Sequence, residues 1–169
     1  MNEFYLYDVA NLKVLHIHVI ADQWQVMNPG EEVTTLVSTE NLYYIGRRGE
    51  TLHAEVIALL LCLIMQRADE AYFEKTQEFV DALKDAEILC DLDKDRLPLI
   101  YAVVDNGDDD CNFEVYHKYT HTCYGSVSGL SSERAKEYGR HLTEMVIALR
   151  CDPIISWQFL PEGEPVKFE

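Results

Sequence analysis

A chain of 169 residues fits one domain, and with 48% hydrophobic residues it can build a core, which excludes a disordered polypeptide or a disulfide-stapled miniature. Thirty acidic against fourteen basic side chains give a formal charge of −16, which opposes a direct grip on nucleic acid or on an anionic membrane. Five cysteines (Cys62, Cys90, Cys111, Cys123 and Cys151) without a CxxC pair point to reduced thiols in a cytoplasmic protein, not to a disulfide framework or a structural zinc site.

The first residues, MNEFYLYDVANLK, carry acids where a secretory signal would carry bases, and no stretch reaches the eighteen or so apolar residues of a membrane span. Residues 4–7 (FYLY) and 12–20 (LKVLHIHVI) read as two strands of a hairpin. In the second, Leu15, Ile17 and Val19 fall on one face, and His16 and His18 on the other. Residues 24–27 continue as a third strand up to the Asn28-Pro29-Gly30 turn, and residues 33–37 and 42–45 add one or two more.

Gly46-Arg47-Arg48-Gly49 breaks the strand pattern ahead of residues 51–67, TLHAEVIALLLCLIMQR. Ten of these, Val56 through Met65, are apolar without interruption. As a helix the run covers roughly 15 Å, half a bilayer, and it is apolar all round, so it is expected to be a buried core helix with Thr51 as its N-cap. From Asp69 the pattern turns amphipathic, with Tyr72, Phe73, Thr76, Phe79, Val80 and Leu83 at helical spacing and Asp69 as the expected cap.

Residues 97–104 (LPLIYAVV) form a strand, residues 105–110 (DNGDDD) a turn, and residues 111–124 one long returning strand with His117 and Tyr119 on one face. His117 and His121 share that face but stand too far apart along it to chelate one ion. Residues 125–129 (GSVSG) read as a small-residue loop. Ser131 or Ser132 caps a third helix with Ala135, Tyr138, Leu142, Met145, Val146 and Leu149 inward. Residues 154–160 make a last strand, and residues 160–169 read as a loosely ordered tail. The expected architecture is a single α+β domain over residues 1–169. Its sheet is mainly antiparallel or else mixed, and packs against a buried helix and two amphipathic ones.

Chemical motifs are few. His53-Ala54-Glu55 resembles the HxE element of zinc-dependent nucleoside deaminases, but the PCxxC that would supply the other ligands has no counterpart. Asp91, Asp93 and Asp95 open like an EF-hand loop, yet Arg96 stands at the glycine position and Ala102 at the glutamate position. His16 and His18 bind a metal only if further ligands arrive from elsewhere. No metal and no cofactor is therefore expected. P-loop, GxGxxG, GxSxG and HExxH motifs are absent.

What remains is an acidic surface with ten tyrosines and two tryptophans, residues suited to anchoring a protein interface. The leading expectation is a small acidic cytoplasmic binding protein whose partner is basic, engaged by Asp91, Asp93, Asp95, Asp105, Asp108, Asp109 and Asp110. Small inhibitors and immunity-type proteins for nucleases have this character, so inhibition of a nucleic-acid-acting protein is one use, with no contact to nucleic acid or membrane. The alternative is a hydrolase or a small-molecule or anion-binding protein with a pocket at Arg47, Arg48, His53 and Glu55, where a helix N-terminus favours anions. Self-association into a homo-oligomer is compatible with both.

Overall fold

A computed structural model describes residues 2–90, 98–149 and 154–168. Among the described residues it is a mixed α/β fold with three sheets where the sequence suggests one. The first has five antiparallel strands in the order β4-β3-β2-β1-β5: β1 (Glu3–Asp8), β2 (Lys13–Ile20), β3 (Gln23–Val26), β4 (Thr34–Thr35) and β5 (Leu42–Gly46). A two-residue strand, β6 (Thr51–Leu52), then pairs in parallel with β7 (Leu89–Cys90) across the helices α1 (Ala54–Ala68) and α2 (Tyr72–Asp85). The third sheet runs β10-β9-β8-β11, from β8 (Pro98–Asp105), β9 (Cys111–His117), β10 (Cys123–Leu130) and, after α3 (Ser132–Ala148), β11 (Ile154–Pro161). β11 lies parallel to β8, as a strand returning through a helical crossover must if it is to run the same way.

Two apolar clusters follow from strand alternation in β1 and β2. Leu6, Leu15, Ile17 and Val26 form a small cluster on one face of the first sheet. Tyr5 and Tyr7 face the other way into the principal core, which joins both large sheets to all three helices. Tyr7 meets Phe79 of α2 edge-on at 5.1 Å. α1 packs against α2 and β10, and α3 against β8 and β9.

Nine of the fifteen residues of α1 are buried, among them Ile57, Leu60, Leu61 and Ile64, while Val56, Leu59 and Leu63 keep some exposure and Glu55, Gln66 and Arg67 face solvent. Thr51 is not its cap. The backbone at Thr51 is spent on β6, and the first turn is closed by His53, whose Nδ1 accepts from Glu55 N–H at 3.2 Å. Nor does Asp69 cap α2. It sits at φ 51°, turning the chain out of α1 into a short 3-10 segment, Asp69–Ala71, before α2 starts. Ser131 does cap α3, accepting from Arg134 N–H at 3.1 Å.

Two further expectations are corrected in the third sheet. The stretch 111–124 is broken by a turn after His117, so its ends belong to β9 and β10. The small residues 125–129 lie in β10, not in a loop. Gly125 explains the strand: a Cβ there would stand 3.0 Å from both Cys62 Cβ and Gln66 Nε2, so its bare backbone is what lets β10 approach α1. Beyond β11 the chain folds back: Gln158 exchanges two hydrogen bonds with the backbone of Lys167, and the Phe168 ring stacks on His121 at 3.8 Å.

Candidate functional site

The 105–110 turn stands at one end of the third sheet. Asp105 Oδ1 accepts from Gly107 N–H at 2.9 Å, Asp110 N–H donates to the Gly107 carbonyl at 2.9 Å, and Asn106 N–H to the Asp110 carbonyl at 2.8 Å. Asp108 and Asp109 adopt φ of 47° and 61°, which aspartate tolerates better than most residues. The turn is thus held by its backbone, and the side chains of Asp108, Asp109 and Asp110 remain exposed while Asp105 is half-buried. Their charge is felt locally: burial raises the Cys111 thiol pKa, and Asp105, Asp109 and Asp110 push it further the same way. The other expected acidic residues, Asp91, Asp93 and Asp95, lie outside the described residues.

Register places an aromatic groove beside this turn. Pro161 of β11 pairs with Asp105, so Phe159 and Trp157 are two and four residues back along the same strand. They share the face of Val103 and Tyr101, with which they pair, and that face looks toward α3. α3 packs on β8 and β9, and at the neighbouring β11 Trp157 is 55% and Phe159 44% exposed. A cleft of roughly 550 Å³ results, floored by Tyr101, Val103 and Phe113 and rimmed by Lys136, Arg140, Glu144 and Trp157. Lys136 Nζ lies 5.3 Å from the centre of the Phe159 ring, within cation–π range. The aromatic half of this surface escapes a reading by motif, because its only sequence signal is Trp157 and Phe159 alternating along an apolar strand.

The four residues of the alternative pocket separate into different roles. Arg48 directs one guanidinium nitrogen to the Asp85 carbonyl at the end of α2 (2.7 Å) and another to Tyr5 Oη (2.9 Å). Arg47 N–H donates to Glu50 Oε2 at 3.0 Å. His53 caps α1, and Glu55 lies 3.8 Å from the Nε2 of His117. His117 is buried, and its Nδ1 accepts from the backbone N–H groups of Tyr119 and Thr120, which places the ring proton on Nε2, facing Glu55. That pairing of the α1 mouth with the end of β9 joins segments 62 positions apart and has no local signature. His121 faces Phe168 instead, so His117 and His121 serve different neighbours.

On the first sheet, register brings Glu3 opposite His18 and next to His16. Glu3 Oε1 is 2.9 Å from His16 Nε2, and Oε2 is 3.1 Å from His18 Nε2. Contact with His16, opposed by desolvation and aided by His18, holds the Glu3 carboxyl below its usual range. The third ligand that the His16–His18 pair needs is therefore available, from a strand where the sequence shows only an isolated acid.

No family model matches the chain, and neither curated proteins nor solved structures match it. Among the described residues no helix is long and apolar enough to cross a membrane.

Proposed function

We propose that this chain is an acidic binding module for a basic polypeptide, engaged at the end of the third sheet where the acidic turn adjoins the aromatic groove. The observation that carries this reading is the adjacency itself: Asp105 and Phe159 are two residues apart in register, and both the carboxylates and the rings are exposed. An exposed carboxylate cluster steers cations, whereas a desolvated aromatic pocket supplies most of the affinity at an interface. The position of Lys136 over Phe159 indicates that this ring face suits a cation, and an arginine or lysine of the partner would replace Lys136 there. In this reading α1 is a buried scaffold, and α2 and α3 are amphipathic cover. Inhibition of a nucleic-acid-acting partner is the use that its charge fits best.

Titration with an arginine- and lysine-rich peptide in low and physiological salt tests the proposal. Binding is expected to weaken steeply with salt, to fall more than about tenfold in the Asp108→Asn, Asp109→Asn, Asp110→Asn triple variant, and to fall again in Trp157→Ala. Salt-independent binding, or a triple variant that binds like the parent chain, would overturn it.

The exposed Arg47 and His53 side chains beside the start of α1 favour a second reading, a small-molecule or anion site at the mouth of that helix. Stabilisation of the chain by phosphate that is lost in Arg47→Ala or His53→Ala supports that reading. A melting temperature indifferent to phosphate removes it.

A further inference from the structure

The His-x-His of β2 and the glutamate of β1 form a set of converging ligand atoms that the polypeptide-binding surface does not use. Glu3 and His18 are directly opposed across the antiparallel pair, and His16 is the next residue on the same face. Neighbours at this spacing stand about 4.5–5.5 Å apart at Cβ, close enough for three side chains to meet at one point. They do meet: one nitrogen of each imidazole and one carboxylate oxygen all lie within 4.8 Å of one another. Ligands about 2.0–2.2 Å from a tetrahedral zinc ion would stand roughly 3.4 Å apart, and the two Glu3 oxygens stand 2.9 and 3.1 Å from the two imidazole nitrogens, near that spacing.

Both Nε2 atoms are hidden from solvent and lie 2.9 and 3.1 Å from the Glu3 carboxylate. Two ring nitrogens withdrawn from water and converging on one carboxylate are placed as ligands around a shared point would be. The rings are also fixed from outside. His16 stacks on Tyr5 at 4.7 Å and 9°, Arg48 grips the Tyr5 hydroxyl, and His18 stands perpendicular to His16 at 4.8 Å. Asn28 holds the backbone leading into His16, accepting from His16 N–H and donating to the Val14 carbonyl. Preorganisation of this kind keeps ligands in place before an ion arrives.

We propose that Glu3, His16 and His18 bind one divalent transition-metal ion, with zinc the best chemical match. Two imidazoles and one carboxylate suit zinc, iron or nickel better than calcium or magnesium, which prefer all-oxygen cages. Three protein ligands leave at least one position open to water or to a ligand from another molecule. The strongly negative chain raises the local concentration of cations around the site.

Calorimetric titration of the untagged, chelator-stripped chain with zinc chloride decides the matter. One equivalent is expected to bind, and Glu3→Gln, His16→Gln and His18→Gln should each weaken binding by more than about tenfold while the metal-free far-ultraviolet spectrum stays unchanged. Cobalt(II) in place of zinc should give visible ligand-field bands without thiolate charge transfer, which separates this site from the cysteines. Absence of saturable binding, parent-like affinity in Glu3→Gln, or a thiolate band on the stoichiometric ion would each overturn the proposal. If a histidine variant loses its fold, Glu3→Gln and the cobalt spectrum of the parent chain carry the decision.

Discussion

Tyr7 is wholly buried against Phe79, and its hydroxyl has no hydrogen-bond partner among the described residues. Burial raises its pKa, with Glu78 and Asp8 adding to the rise, so the group stays protonated and keeps an unpaid desolvation penalty. Tyr7→Phe removes the hydroxyl and leaves the ring contact. It should stabilise the chain by about 1 kcal/mol and raise the melting temperature by about 2–4 °C; a lower melting temperature would reveal a partner for the hydroxyl. His141 gives the opposite case of a polar group that is satisfied but sensitive to pH. Thr76 Oγ1 donates to the Tyr72 carbonyl at 2.7 Å and stands 2.6 Å from His141 Nε2, so the imidazole donates to Thr76. Desolvation lowers the His141 pKa, against a smaller opposing effect of Glu144. A depressed folded-state pKa means that the unfolded chain binds the extra proton first. The contribution is therefore fully present above the unfolded value of about 6.5 and is lost as pH falls below it, by at most about 1.4 kcal/mol per pH unit for one proton. Urea melts across this range should show that slope, and His141→Gln should flatten it.

Two glycines show at the scale of elements how close packing reverses the sign of one substitution. Gly125→Ala would drive a Cβ to 3.0 Å from Cys62 Cβ on α1, where Cys62 is wholly buried and cannot yield cheaply. It should cost about 1–3 kcal/mol. Gly139→Ala, in the middle of α3, meets Phe113 and Tyr101 at 3.5 and 3.6 Å, which is ordinary contact, and it gains helix propensity. About 0.5–1 kcal/mol of stabilisation is expected, and paired denaturant melts of the two variants check the contrast. The same elements show what was legible beforehand. The apolar run in α1 and the amphipathic spacing of α2 and α3 mark helices because periodicity is a local property. The GSVSG stretch misleads because small residues favour loops in isolation, whereas here they form a strand pressed against a helix. Thr51 misleads likewise: a threonine before a helix is a good cap unless a distant strand, Leu89–Cys90, claims its backbone. Glu3 meets His16 and His18 only through the register of β1 with β2, and Trp157 and Phe159 come beside the 105–110 turn only through the pairing of β11 with β8.

At the scale of the whole molecule the formal charge of −16 acts on two equilibria with opposite signs. Folding brings the carboxylates together, so the compact state carries self-repulsion that the expanded chain relieves. The exposed turn at Asp108, Asp109 and Asp110 concentrates part of that charge on a segment held by backbone hydrogen bonds, where it cannot spread. Added salt screens exposed charges over about 10 Å at 0.1 M, and so should raise the melting temperature of the isolated chain between low and physiological ionic strength. Capture of a basic polypeptide draws on the same field, and screening should weaken it over the same interval. Thermal melts and peptide titrations in matched buffers therefore ought to move in opposite directions as sodium chloride rises. If salt weakened neither, or if it stabilised the fold and left binding untouched, charge would not be what selects the partner, and the aromatic groove alone would have to explain the affinity. A neutral osmolyte of equal concentration gives the control, since it alters burial without screening charge.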